Sequence, residues 1–588
     1  MSLFFSPSDQ YAPGAKAPQA CGSCKRQKRK CDKALPTCGL CTRMERQCDY
    51  AETPQPGPTA DDFAALQLKL LELESRLRHS DGTPSSSVNG APAAGSDSAL
   101  GSGGSVGETP PTAPVYTPLE PLWEQQTAAQ YPPDVFLDIT AFDCMNLSLP
   151  KPVIDIPVEV LEQLGDGNAI QQLVGEYFAT IHASLPIVSK KRMHMGHALG
   201  QGGPDLAMLF LAMKLATTQP ADGVAAAHHA IYRTAKRFMS SLEHGGATSL
   251  MVLQSMVLIA YFEFGHGIYP SAWTTVGACV RFVDFLGLPR FYEGNILLSS
   301  PTTWTELEER SRTWWAVIVL DRVICLGNKK RYLSPEPEEN EIFPVDDEAW
   351  DEGRVGRAVH RHVSQQPADT PSFFSSLCRA ALLAGNVITH VRRATLDRKQ
   401  NQPACAAQHV AEANSLSDAI SSAVDRLPRS LAFLAPRCVL LSAGVLLHDF
   451  YCCPVPMDGR IRPPEEITQQ FRSVELLRAI SDDVAALSEE LLSLALAAEK
   501  DDEGGGGGGI GAMSPLVLDA LYGAANTFAW LVREEGPAEN EDKLEVIKRC
   551  LARLGARWRL AGEYGRMLEQ QDMAFMMQEK GHQMVRYT

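Results

Sequence analysis

The chain has no run of eighteen apolar residues among its 588 positions, so the sequence predicts no segment that crosses a membrane. Its N-terminus, Met1 to Gly14, has neither a basic stretch nor an apolar one long enough for a signal peptide. Both absences predict a chain kept in a reducing compartment, where cysteines serve as metal ligands more often than as disulfides. Strand-like alternation is scarce beyond residue 150, which excludes an ordinary β-rich body. Histidines at 194/197, 228/229 and 360/362 have no carboxylate at metal or triad spacing, so the sequence points to no catalytic residue and to no enzyme.

Cation is also lacking over most of the chain. Residues 1–50 hold nine Lys and Arg against four Asp and Glu, whereas the whole chain carries a formal charge of −16. A basic head on an acidic body indicates that only the head meets a polyanion.

Six of the fifteen cysteines crowd into the head: Cys21, Cys24, Cys31, Cys38, Cys41 and Cys48. The first three, shifted by seventeen residues, give the last three. Zinc takes tetrahedral thiolates, and a C-x2-C pair offers two from one turn. Six thiolates make two four-ligand sites only if two sulfurs bridge both metals, one from each half. So small a segment has almost no apolar core (Leu35, Leu40, Met44, Tyr50), and metal binding would supply most of its folding energy, on the order of 10 kcal/mol or more per structural zinc. The alternative, three disulfides, would require secretion. Between Cys24 and Cys31 stand Lys25, Arg26, Gln27, Lys28, Arg29 and Lys30, five cations in six residues. The matching loop of the second half, 42–47, has two cations and one acid, so only the first half is built to face phosphates.

Residues 20–50 closely resemble the fungal Zn(2)-C6 binuclear cluster of transcription factors, including Asp32, Pro36 and Tyr50. The resemblance implies two Zn2+ per chain, with Cys21 and Cys38 as bridging sulfurs. It implies a base-reading lysine at Lys28 and CGG-type half-sites; Gln27 departs from the more usual cation. Lys25, Arg26, Arg29 and Lys30 would then chiefly hold phosphates. One short cluster specifies too little sequence alone, so a paired half-site is expected.

A proline-punctuated linker (51–62) leads to apolar residues at Phe63, Leu66, Leu70, Leu73 and Leu77, spaced alternately by three and four. That is a coiled-coil seam over 63–79, with Lys69/Glu74 and Arg76/Asp81 placed to pair between parallel helices of a homodimer. A helix packed on its own chain shows the same pattern. Residues 80–149 read as a Ser/Gly/Pro-rich disordered linker, and 1–19 as a disordered tail. The G-x-S-x-G at 103–107 lies in low-complexity sequence and is a chance match.

From 150 to 588 helical periodicity prevails, including 375–393, 406–426, 437–451, 465–499 and 514–533, which predicts a mostly α chain with a large all-α body. Patches resemble the fungal middle homology region that accompanies this zinc cluster. They are Tyr177-Phe178 with His182 and Leu185-Pro186-Ile187, and Ala272-Trp273 with Gly277, Arg281 and Leu286-Gly287-Leu288. They continue with Glu308 to Arg322 followed by Gly327, and with Arg557-Trp558 near the end. After Gly327 the sequence runs Asn-Lys where the family usually has Arg-Pro. The charges at Glu308, Glu309, Arg310, Asp321 and Arg322 read as an ion-pair network beside Trp314 and Trp315. Residues 336–352 hold nine acids around Phe343 and Trp350, a composition that suits either recruitment of transcriptional machinery or a solvated loop. The expectation is thus a nuclear, dimeric, DNA-binding regulator of RNA polymerase II transcription. Activation is favoured over repression, with coregulators as further partners. A metabolite-sensing helical domain bearing a DNA-binding head is the rival reading.

Overall fold

The computed structural model describes residues 20–21, 23–24, 29–34, 37–44, 46 and 48 of the head. Beyond it the described residues are 134–137, 154–194, 203–220, 225–288, 298, 301, 303–327, 330–354, 360–366, 370–399, 405–452, 464–501, 513–536 and 538–586. The chain divides into two units, Met1–Thr117 and Pro118–Thr588. Phe63, Leu66, Leu70, Leu73 and Leu77, and with them the expected dimer seam, lie outside the described residues.

In the head, residues 23–24 are helical and α1 spans Gly39–Arg43. The body is helical as expected, and no β-strand occurs among its described residues. Its longer helices are α2 (Gly167–Ala179), α3 (Pro204–Thr217), α4 (Ala230–His244), α5 (Leu250–Gly265), α6 (Ser271–Leu286) and α7 (Trp304–Leu326). After these come α8 (Phe373–Lys399), α9 (Ala406–Arg426), α10 (Leu434–Cys452), α11 (Pro464–Asp501), α12 (Leu518–Glu535), α13 (Ala538–Gly555) and α14 (Arg559–Arg586).

Local chemistry sets their ends. Asp166 caps α2 by accepting the Ala169 N–H at 2.9 Å, Ser249 caps α5 through Val252, and Thr303 caps α7 through Glu306. Gly287 ends α6 with φ +70°, the left-handed stop that glycine adopts without strain. α4 buries Ile231, Tyr232, Ala235, Phe238, Met239 and Leu242, one stripe at helical spacing. α5 is mostly apolar and buried from Val252 to Gly265, with Gln254, Ser255 and Glu263 its buried polar residues, and it is packed between α3 and α6. α8 packs extensively on α10, α10 also on α11, and α12 on α13, so one core runs through the body. Two segments, Leu431–Cys452 and Pro515–Glu535, are long and apolar enough to cross a bilayer, yet most of each is buried inside the body.

Glu308, Arg312, Trp315 and Arg322 share one face of α7, and the segment after the helix runs back along it. Asp321 Oδ2 accepts the N–H groups of Leu333 (2.8 Å) and Ser334 (2.6 Å), and Arg322 Nη2 donates to Glu336 at 2.8 Å. Two turns earlier in α7, Trp315 Nε1 donates to the Ile342 carbonyl at 2.9 Å. Arg312, wholly buried, donates to Glu308 (2.9 Å), Asp347 (2.7 Å) and the Val345 carbonyl (2.7 Å), and lies 4.2 Å from the Trp350 ring centre. The ion-pair reading therefore holds in part: Glu308 and Arg322 are paired, and with Arg312 and Asp321 they clamp residues 333–350, whereas Glu309 and Arg310 pair elsewhere, with Arg192 and Glu306. The same clamp overturns one of the two readings of 336–352: Phe343 and Trp350 are buried, so they form no exposed acidic-aromatic recruitment motif. The solvated-loop reading fits the acids, for Glu336, Glu338, Glu339, Asp346, Glu348 and Glu352 are exposed.

Candidate metal centre and nucleic-acid interface

The head is built by two copies of one turn. Cys24 N–H donates to Cys21 Sγ at 3.4 Å, and Cys41 N–H donates to Cys38 Sγ at 3.4 Å. Arg29 N–H reaches the Cys24 carbonyl at 3.0 Å, and Arg46 N–H reaches that of Cys41 at 3.0 Å. The seventeen-residue repeat of the sequence is thus a repeat of backbone geometry. Asp32 joins the halves: both its carboxylate oxygens accept the Gly39 N–H (3.1 and 3.0 Å), at the start of α1. Gly39 is needed there, because a Cβ would stand 2.6 Å from Asp32 Oδ2.

The sulfurs form two groups of four, Cys21/Cys24/Cys31/Cys38 and Cys21/Cys38/Cys41/Cys48, and the groups share Cys21 and Cys38. Cys21 lies 3.7 Å from Cys38 and 3.6 Å from Cys41, and Cys24 lies 3.7 Å from Cys38. These separations are far beyond a disulfide, about 2.05 Å. They match the edge of roughly 3.8 Å that a tetrahedron with 2.3 Å Zn–S bonds requires. The donor set therefore fits zinc.

The thiols feel one another strongly. Burial and the sulfurs of Cys21 and Cys38 push the Cys24 thiol up to about 12. The Cys38 sulfur, with burial, raises Cys41 further, and burial raises Cys48. Burial also opposes ionisation of Cys21 and Cys38, but the N–H groups of Cys24 and Cys41 together with neighbouring cysteine side chains lower both. The two sulfurs most easily ionised are the two common to both groups. Several thiolates held this closely need a dication among them.

Of the basic loop, Arg29 and Lys30 are exposed beside the cluster, while Lys25, Arg26 and Lys28 lie outside the described residues.

Within the body, a cavity of about 280 Å³ opens between α3, α5 and α7, walled by Leu206, Leu209, Met251, Gln254, Arg192 and Glu309. Its charges are paired: Glu309 with Arg192, and Glu306 with Arg310. Gln254 Nε2 donates to the Ile187 carbonyl at 2.7 Å. A second group of donors, His390, His409 and Glu412, gathers between α8 and α9. Sequence reasoning missed it because His390 stands nineteen residues before His409. The legible signal was His409 and Glu412, three apart on one helix.

The comparisons with known proteins agree with this geometry. Residues 19–56 match the fungal Zn(2)-Cys(6) binuclear cluster domain and 174–420 the fungal specific transcription factor domain. "Transcription factor BOA15" of Botryotinia fuckeliana is 34% identical over 182 residues, 30% of this chain and 97% of that protein. The "Depudecin biosynthesis cluster-specific transcription activator DEP6" of Fusarium langsethiae is 26% identical over 54% of this chain and 58% of its own length. The "Pigment biosynthesis transcriptional activator pigB" of Monascus ruber is 24% identical over 40% of this chain and 43% of its own length. No solved structure matches. With its cysteine head, helical body and these relatives, the chain belongs to the fungal Zn(2)-Cys(6) transcription factors, zinc- and DNA-binding regulators of transcription.

Proposed function

We propose that this protein is a nuclear, homodimeric, pathway-specific activator that binds paired CGG-type half-sites through a two-zinc cluster. The observation carrying the proposal is the division of six sulfurs into two groups of four sharing Cys21 and Cys38, beside a loop rich in cations. In this reading Cys21, Cys24, Cys31, Cys38, Cys41 and Cys48 are the metal ligands. Bound zinc neutralises the thiolates and cross-links the two half-repeats. The chain's own part is to aim residues 25–30. Lys28 donates to guanine O6 and N7 in the major groove, an interaction that discriminates by about 1–3 kcal/mol. Lys25, Arg26, Arg29 and Lys30 meet phosphates. The seam from Phe63 to Leu77 pairs two heads, and the names of the pigment and depudecin relatives support activation of a biosynthetic gene set.

The test is competition binding. Wild-type protein should prefer CGG-containing duplexes over random ones, and Lys28→Ala should lose roughly ten-fold or more of that preference. Unchanged preference in Lys28→Ala overturns direct readout by this residue.

The cavity favours a second reading of the body, as the sensor of a metabolite. Its ion pairs leave no net charge to neutralise, so the ligand would be mostly apolar and uncharged. Met251→Trp, which fills the cavity, should then abolish induction of a reporter while leaving DNA binding intact; normal induction would exclude this reading.

A further inference from the structure

We propose that His390, His409 and Glu412, brought together between α8 and α9, form a further metal site that takes zinc or a similar late first-row divalent cation, separately from the cysteine head. One ring nitrogen from each histidine and a Glu412 carboxylate oxygen lie within 4.8 Å of one another. Both histidines are buried, at 1% and 8% exposure.

The hydrogen bonds bear on which nitrogens are available. His409 Nε2 lies 2.7 Å from Asp397 Oδ2, and a carboxylate can only accept, so Nε2 carries the proton. His390 Nε2 lies 2.9 Å from the Tyr451 hydroxyl, which itself donates to the His409 carbonyl at 3.3 Å. In the tautomer in which His390 Nε2 donates to the Tyr451 oxygen, each ring has a lone pair on Nδ1, and both Nδ1 atoms are buried. His390 Nδ1 stands 3.0 Å from Glu412 Oε2, and a cation bound by the two takes the place of the proton that the other tautomer sets between them.

This is also the outer-shell pattern of metal-bound histidine, in which the distal N–H donates to a carboxylate or hydroxyl and fixes the ring. Two imidazoles and one carboxylate suit zinc rather than calcium or magnesium. Glu412 is 36% exposed, so the fourth position opens toward water. The occupied site needs donor separations of roughly 3.3 Å, so the side chains would close on the cation from the 4.8 Å within which the three atoms lie. Arg393, now paired with Glu412, is exposed enough to swing away. The cation would pin α9 to α8.

The experiment uses the full chain, dialysed against zinc and then against metal-free buffer, with zinc counted by elemental mass spectrometry. Wild type should retain one zinc more than Glu412→Gln, and more than His409→Asn, whatever number the cysteine head holds. Added zinc should raise the melting temperature of the wild-type body, and the variants should lose that rise. Glu412→Gln changes a half-exposed side chain and keeps the fold, which circular dichroism checks. Equal zinc content and equal zinc-dependent melting in wild type and Glu412→Gln would overturn the site, leaving Glu412 as the partner of Arg393 alone.

Discussion

Arg312 shows how one side chain organises the body. Its guanidinium is wholly buried and makes three hydrogen bonds, to Glu308, Asp347 and the Val345 carbonyl. Asp347 and Glu308 keep it charged against the burial that opposes charge. Arg312→Met leaves two acids without their cation, and breaking a buried pair in this way costs about 3–5 kcal/mol. Urea unfolding of the full chain should report that loss; a change within ~0.5 kcal/mol would show that the clamp on 333–350 contributes little. His266 behaves oppositely, for neither ring nitrogen has a hydrogen-bond partner, and it packs between Phe262 (4.3 Å) and Trp558 (5.3 Å). Burial, aided by Arg557 and Arg559, lowers it to about 3, and burial with Arg472 nearby lowers His448 to about 4. Both folded values lie below the unfolded one, so the unfolded chain binds protons first as pH falls. Stability present at pH 7 is therefore lost below about pH 6.5, at up to roughly 1.4 kcal/mol per pH unit for each group. His266→Phe should flatten the fall in urea midpoint between pH 7 and 5; an unchanged slope would remove this histidine from the account.

At the scale of elements, two joints decide how distant segments meet. Arg557, just before α14, donates to the carbonyls of Ala216 (2.7 Å) and Thr218 (3.2 Å) and so caps the end of α3. Trp558 beside it donates to the Met513 carbonyl at 2.7 Å and lies against Gly265, the last residue of α5. A Cβ at 265 would stand 2.3 Å from the Trp558 ring. Gly265→Ala should destabilise by about 1–3 kcal/mol through overpacking, and Trp558→Leu should remove most of that penalty in the double variant. Additive effects in thermal unfolding would contradict the close approach. In the head, the comparable joint is Asp32 on the Gly39 N–H. Asp32→Ala should lower the chelator concentration that strips the head of half its zinc.

For the whole molecule, what the sequence made legible was whatever repeats at short range. The cysteines declare themselves because one turn recurs after seventeen residues, and helices such as 406–426 because their apolar residues recur every three or four. The charges at Glu308, Glu309, Arg310, Asp321 and Arg322 were legible as a network, but its buried centre, Arg312, was not singled out although it stands one turn after Glu308. The other partner of Arg312, Asp347, is thirty-five residues away and arrives only when the following segment folds back. The same folding hides Phe343 and Trp350, whose acidic neighbours suggested exposure. His390 and His409 sit on different helices, and nothing in their spacing announces that α8 and α9 place them together. The cysteine groups and the charge asymmetry together make the head the part of the molecule that reads DNA. Selection of bound duplexes from a random pool, with the full chain and its Lys28→Ala variant, tests that most directly. Paired CGG triplets at a fixed spacing, enriched by the wild type and lost with the variant, are the predicted result; a pool without a CGG triplet, or one equally enriched by both proteins, would contradict it.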